Sequence, residues 1–255
     1  MVDLLMQDNI IGIEFDKLKM YFGEDYVIND KIVIHQPTIG EILEYGEKEY
    51  LSMVHTICAI PSDMKPQLWD MGIDYDKITD FELFRLLRTV LPQFKTKILL
   101  GDLDLSSLYE AQDQETEEII LADFEKGIVI DQYIYLKIVT YIRQMHGIVP
   151  KIEHAYNEYT KKILIEDDRQ KQAAYQKKPY SSQLLPLVSS MLNCAGFKYK
   201  KNELKEVGIV EFMDSVYRIS KIQSTNALLH GFYGGMIDTT KIDKKELNWL
   251  GELKY

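Results

Sequence analysis

The chain is predicted to be an α+β protein, predominantly α-helical, and three observations carry that prediction. Two Thr-x-x-Glu patterns, Thr38/Glu41 and Thr79/Glu82, each open a run of apolar residues at helical spacing. Short β-branched stretches lie around residues 26–35 and 119–130. Beyond Pro179, Leu184, Leu185, Val188, Met191 and Leu192 recur at three- and four-residue steps.

In chain order, residues 17–36 read as a β-hairpin. Lys17–Phe22 alternates, and Tyr26–Ile28 and Lys31–His35 flank an Asn29-Asp30 turn, residue types that tolerate a left-handed backbone. Thr38 starts a helix that is expected to run to about Ile60 and stop at Pro61. A short helix over Asp63–Met71 precedes the acidic loop Asp74-Tyr75-Asp76. Thr79 then opens a helix through about Val90, with Phe81, Phe84, Leu87 and Leu91 on one face.

A small β element follows, built from Lys97–Leu100, Ile119–Leu121 and Ile128–Ile130 and interrupted by the acidic stretch Glu110–Glu118. Asp131 caps a helix with Tyr135, Ile138, Val139 and Ile142 on one face, and Gly147 ends it. Residues 151–178 read as a polar helix with a narrow stripe of Ile152, Tyr156, Tyr159 and Ile163. Two further helices occupy 181–195 and much of 202–231, and the Gly234-Gly235 pair breaks the second. The expected organisation is therefore an acidic α+β domain over 1–150, a polar connecting helix over 151–178, and a helical region with a C-terminal arm over 179–255.

A chain of 255 residues can bury one substantial core or two small ones. Its net charge of −10 argues against general nucleic-acid binding. The charge is uneven: −7 over residues 1–100, −7 over 101–150 and +4 over 151–255. Cys58 and Cys194 sit among apolar residues and read as small hydrophobes, which fits a reducing compartment. The sequence shows no signal-like N-terminal pattern and no apolar run of about 20 residues, so a cytoplasmic protein without a membrane span is expected.

No catalytic kit is legible, and no enzyme activity, cofactor or metal is expected. The five histidines (His35, His55, His146, His154 and His230) lack the spacing of zinc ligands. His55 reads as a core residue, and His146 as a cation at a helix end. Asp74-Tyr75-Asp76 and Asp102-Leu103-Asp104 lack the glycine and glutamate of a calcium loop. Gly231–Gly235 has no Gly-Lys-Ser/Thr and follows a helix, so it is not a phosphate loop. The basic run Lys198–Lys201 reads as a solvated turn.

Interaction is the better lead. The 17 tyrosines supply large contact area at low entropy cost. The C-terminal arm combines Phe232, Tyr233, a Gly234-Gly235 hinge, Leu247 and Trp249, and these six residues are the candidate interface. Trp249 reads either as an anchor for a partner or as a staple onto its own domain.

Four segments resemble proteins encoded in tail-morphogenesis modules of phages and prophages of low-GC Gram-positive bacteria. They are Pro37-Thr38-Ile39-Gly40-Glu41-Ile42, Ser62-Asp63-Met64-Lys65-Pro66-Gln67-Leu68-Trp69-Asp70, Lys178-Pro179-Tyr180-Ser181-Ser182-Gln183-Leu184-Leu185-Pro186 and Ile242-Asp243-Lys244-Lys245-Glu246-Leu247-Asn248-Trp249. Within those modules the chain is most similar to the tail assembly chaperone family. The resemblance implies a cytoplasmic, largely helical protein that coats the hydrophobic tape-measure protein and helps recruit tail tube subunits. It carries no catalytic motif across. A homo-oligomer is expected. A structural tail or connector protein of the virion, and an enzyme or regulator, are the competing readings.

Overall fold

The structure, a computed structural model, describes residues 13–236, 242–251 and 253. It is an α+β fold dominated by helices, with a small hairpin near the N-terminus and a three-stranded sheet in mid-chain. Asp16 caps helix α1 (Lys17–Tyr21) by accepting the amides of Leu18 and Lys19. This corrects the expected strand over Lys17–Phe22. Alternation would bury Leu18, Met20 and Phe22 together, but only Met20 is buried, and the Asp16 cap favours the helix.

The hairpin itself is present. β1 (Tyr26–Val27) pairs antiparallel with β2 (Val33–Ile34), and the Asn29 carboxamide accepts the amides of Lys31 and Ile32 across the turn.

Thr38 and Glu41 form a reciprocal capping box at the start of α2 (Ile39–Tyr45). The single helix expected to Ile60 is two. Gly46, at φ 102°, turns the chain into α3 (Glu47–Ile57). The α2 entry also clasps the far end of the chain. Ile39 donates its amide to the Val207 carbonyl (2.9 Å), Ile209 donates to the Pro37 carbonyl (3.0 Å), and Thr38 bridges Gly208.

Gly40 lies where a Cβ would come within 2.8 Å of the Lys205 carbonyl oxygen. Gly40→Ala is therefore expected to cost about 1–3 kcal/mol by forcing these backbones apart. A urea titration checks it, and an unshifted midpoint would contradict the close approach.

α4 (Lys65–Asp70) and α5 (Asp80–Leu87) follow, the second opened by the Thr79/Glu82 box as the sequence predicts. Lys97–Leu100 is not a strand. It ends α6 (Gln93–Leu100), whose Thr96, Leu99 and Leu100 are buried at helical spacing. The Leu99 carbonyl accepts the His35 amide just beyond β2 (2.8 Å), so the helix end holds the hairpin.

β3 (Tyr109–Gln112), β4 (Ile119–Asp123) and β5 (Ile128–Ile130) form an antiparallel meander with Glu110 opposite Leu121 and Leu121 opposite Ile130. The start of the acidic stretch is thus itself a strand rather than an interruption. Its turn is closed by the Asp113 carboxylate, which accepts the amides of Glu115 and Thr116.

α7 (Gln132–His146) is the central helix. Asp131 caps it, Gly147 ends it at φ 62°, and it buries Tyr135, Ile138, Val139, Tyr141, Ile142 and Met145.

α8 (Glu158–Gln176) starts later than expected, at the Asn157 cap. The predicted stripe of Ile152, Tyr156, Tyr159 and Ile163 faces solvent. The buried face carries Lys161 and Ile165 instead. α9 (Leu184–Leu192) and α10 (Ile209–Tyr233) complete the α-helices among the described residues. The main core joins Met20, Ile39 and Ile142 to Met191, Ile209 and Phe212, so residues from both sides of Pro179 share it.

Candidate functional site

The candidate interface begins with α10. Its N-terminal turn is anchored by buried Ile209 and Phe212, and beyond this only Thr225 is buried. The helix therefore carries its C-terminal end away from the core. Phe232 and Tyr233 are exposed there, with rings tilted at 5.0 Å, and Met236 is exposed beside them. Gly234 keeps a helical φ of −77°, while Gly235 takes φ 67°, a left-handed conformation that a side chain would strain. The chain leaves the helix at this glycine. The connector over 237–241 lies outside the described residues.

The arm returns to α10 further up the helix. Arg218 donates through one guanidinium nitrogen to the carbonyls of Trp249 (2.5 Å) and Gly251 (2.8 Å). Lys221 pairs with Glu246 (2.7 Å), and the buried Thr225 hydroxyl donates to the Glu246 carbonyl (2.9 Å). These three anchors recur along one face of the helix.

The arm is therefore held in cis largely through its backbone. The Trp249 side chain stays 42% exposed, Leu250 is exposed and Leu247 is half-buried. The structure does not gather the six sequence-predicted residues into one patch. Arg218 and Phe232 are 14 positions apart, roughly 21 Å along a helix axis. Phe232, Tyr233 and the glycines form one apolar end, and Leu247 and Trp249 sit near the middle.

Sequence reading missed Arg218, Lys221 and Thr225. Their spacing hints at a common face, but nothing local says that a chain terminus will cover it. It also missed a cleft of about 280 Å³ between α1, α7 and α10, lined by Met20, Met145, Met213 and Arg218, with Leu253 of the arm in its wall.

The histidines behave differently from expectation. His55 is exposed on α3, whereas Met53, Val54 and Ile57 are buried. His146 is not a helix-end cation. Its Nδ1 donates to the Ile142 carbonyl (2.8 Å), so Nε2 accepts the Tyr50 hydroxyl (2.6 Å). Burial pushes its pKa down to about 4 and keeps the ring neutral.

Among the described residues, no group of three or more His, Cys, Asp or Glu side chains is arranged to hold a metal ion. Among the same residues, no helix is long and apolar enough to cross a membrane. No family model, curated protein or solved structure matches the chain.

Proposed function

We propose that this chain is a non-enzymatic assembly factor of a phage or prophage tail. It binds the tape-measure protein, tail tube subunits or both in the host cytoplasm. The observation that carries this reading is the end of α10: a helix anchored in the core presents Phe232, Tyr233 and Met236 to solvent beyond that core. Exposed aromatic and methionine side chains of this kind suit adaptable contact with apolar helical partners. The sequence resemblance supplies the identity of the partner.

The test is coexpression with a tape-measure protein, the partner that the resemblance implies. A soluble complex supports the reading, and an insoluble tape-measure protein with no complex sinks it. Purified particles separate the nearest alternative, because a chaperone is absent from mature tails and a structural subunit is present.

Trp249→Ala sharpens the test. The side chain is partly exposed while its backbone is held by Arg218, so its loss is expected to weaken client binding about tenfold or more. Thermal unfolding should stay within about 4 °C of wild type. A large fall in melting temperature with unchanged binding would make Trp249 a structural staple.

A further inference from the structure

We infer that the outer edge of β3 is a strand-addition site for an extended partner segment that alternates lysine or arginine with apolar residues. The inference goes beyond the assembly-factor reading and does not depend on it.

β3 is a border strand, with β4 on one side only. Its turn fixes which backbone groups face outward. Asp113 donates its amide to the Glu118 carbonyl (2.9 Å), and its own carbonyl accepts the Glu117 amide (3.0 Å). Glu117 takes φ 60°, the left-handed position of a bulge that sets two residues opposite one. Hydrogen-bonded pairs alternate up the ladder from there. Asp113, Ala111 and Tyr109 therefore bond to β4, while Gln112 and Glu110 turn their N–H and C=O groups away from it.

Leu108 is next in the outward series, and it shows what these groups attract. Its carbonyl accepts the Arg88 Nε (3.1 Å), and the same guanidinium lies 3.9 Å from the Glu110 carboxylate. Glu110 and Gln112 are exposed, and among the described residues nothing pairs with their backbone groups.

The surrounding charge has one sign. No lysine or arginine occurs from Ile98 to Glu125, and Glu110, Asp113, Glu115, Glu117 and Glu118 lie on the strand and its turn. The side chains of Glu110 and Gln112 point to one face of the sheet, and those of Tyr109 and Ala111 to the other. Tyr109 is partly exposed and meets the exposed Phe124 edge-on at 5.8 Å.

An antiparallel strand added here sets every second side chain beside Glu110 and Gln112, where a cation is complementary. The side chains between them fall beside Tyr109 and Ala111, where an apolar group is. A short strand with a charged border resists indiscriminate pairing. Charge of a single sign leaves one partner favoured. It also disfavours the β3 of a second copy, because that pairing would bring two acidic edges together.

A labelled peptide of about eight residues alternating lysine and valine tests the site by fluorescence anisotropy on the full-length protein. It is expected to bind, and to bind more weakly as salt rises. A glutamate–valine peptide of the same length should not bind. In the antiparallel pairing the lysine nitrogens face β3 and the valine nitrogens face away. N-methylation of the lysine nitrogens should therefore weaken binding about tenfold or more, whereas N-methylation of the valine nitrogens should leave it unchanged. Gln112→Pro removes one outward N–H and spares the bonds to β4. It should weaken binding about tenfold while the melting temperature stays near that of wild type.

Failure of the lysine–valine peptide to bind overturns the proposal, since the edge is then closed by its own charges. Equal effects of the two methylation patterns overturn it as well, because the peptide would be held by charge alone. If Gln112→Pro unfolds the protein, that amide does not face outward and the proposal falls with it.

Discussion

Phe212→Ala is expected to lower the free energy of unfolding by about 3–5 kcal/mol, the largest single effect anticipated in this chain. Phe212 is fully buried in the first turns of α10 and meets Phe197 edge-on at 6.4 Å. It belongs to the same cluster as Met20, Ile39 and Ile142. Truncation would leave a cavity that backbone collapse cannot close, because the 207–209 segment beside it is bonded to Pro37 and Ile39.

Urea unfolding followed by far-ultraviolet and aromatic circular dichroism provides the measurement. A single transition shifted to lower urea is expected in both signals. If the variant keeps the wild-type midpoint, or if α10 melts in a transition of its own, the shared core is not one cooperative unit.

The second large effect is on acid stability. The unfolded-state value of a histidine is about 6.5, and the folded His146 is held at about 4 by burial. A depressed folded value means that the neutral ring is the stable one. Its contribution is fully present above pH 6.5 and is lost as the pH falls towards 4, by at most about 3 kcal/mol. Protonation would also place a proton on the nitrogen that accepts the Tyr50 hydroxyl.

His146→Phe is expected to remove this slope between pH 6.5 and 4 while lowering stability at pH 7 by about 1–2 kcal/mol for the lost hydrogen bonds. Unfolding titrations of both proteins across that range provide the check. Parallel curves would show that His146 is not the titrating group.

His35 works in the opposite sense. Burial alone would lower its pKa, but Asp25 and Glu41 outweigh that and raise it. Its contribution is present below pH 6.5 and fades as the pH rises through the raised value. The difference between wild type and variant isolates His146 from it. Glu153 enters only lower down. The charged hydrogen bonds of Lys151 and then Lys65 hold its pKa at about 2, so its contribution is lost as the pH falls from about 4.5.

What was readable in advance follows from the range of each signal. The capping boxes at Thr38 and Thr79, the Asp131 cap, the Gly147 stop and the Asn29 turn all involve partners within about four residues. Each is present where the sequence predicts it. The arm was legible as a distinct segment because glycines interrupt a helical pattern. Its resting place was not, because Arg218 and Trp249 are 31 positions apart.

By itself, then, the sequence determined the fold class, the order of most elements and where the well-capped helices begin. Those properties come from local hydrogen bonding and periodicity. Only the tertiary structure decided that Lys97–Leu100 is helical and which face of α8 is buried. It also decided the neutral state of His146. The reason is distance along the chain. Lys65 and Asp168 are 103 residues apart, and Tyr50 and His146 are 96. Lys65 becomes a buried anchor, and a histidine that reads as a helix-end cation becomes a neutral acceptor, only when folding brings their partners to them.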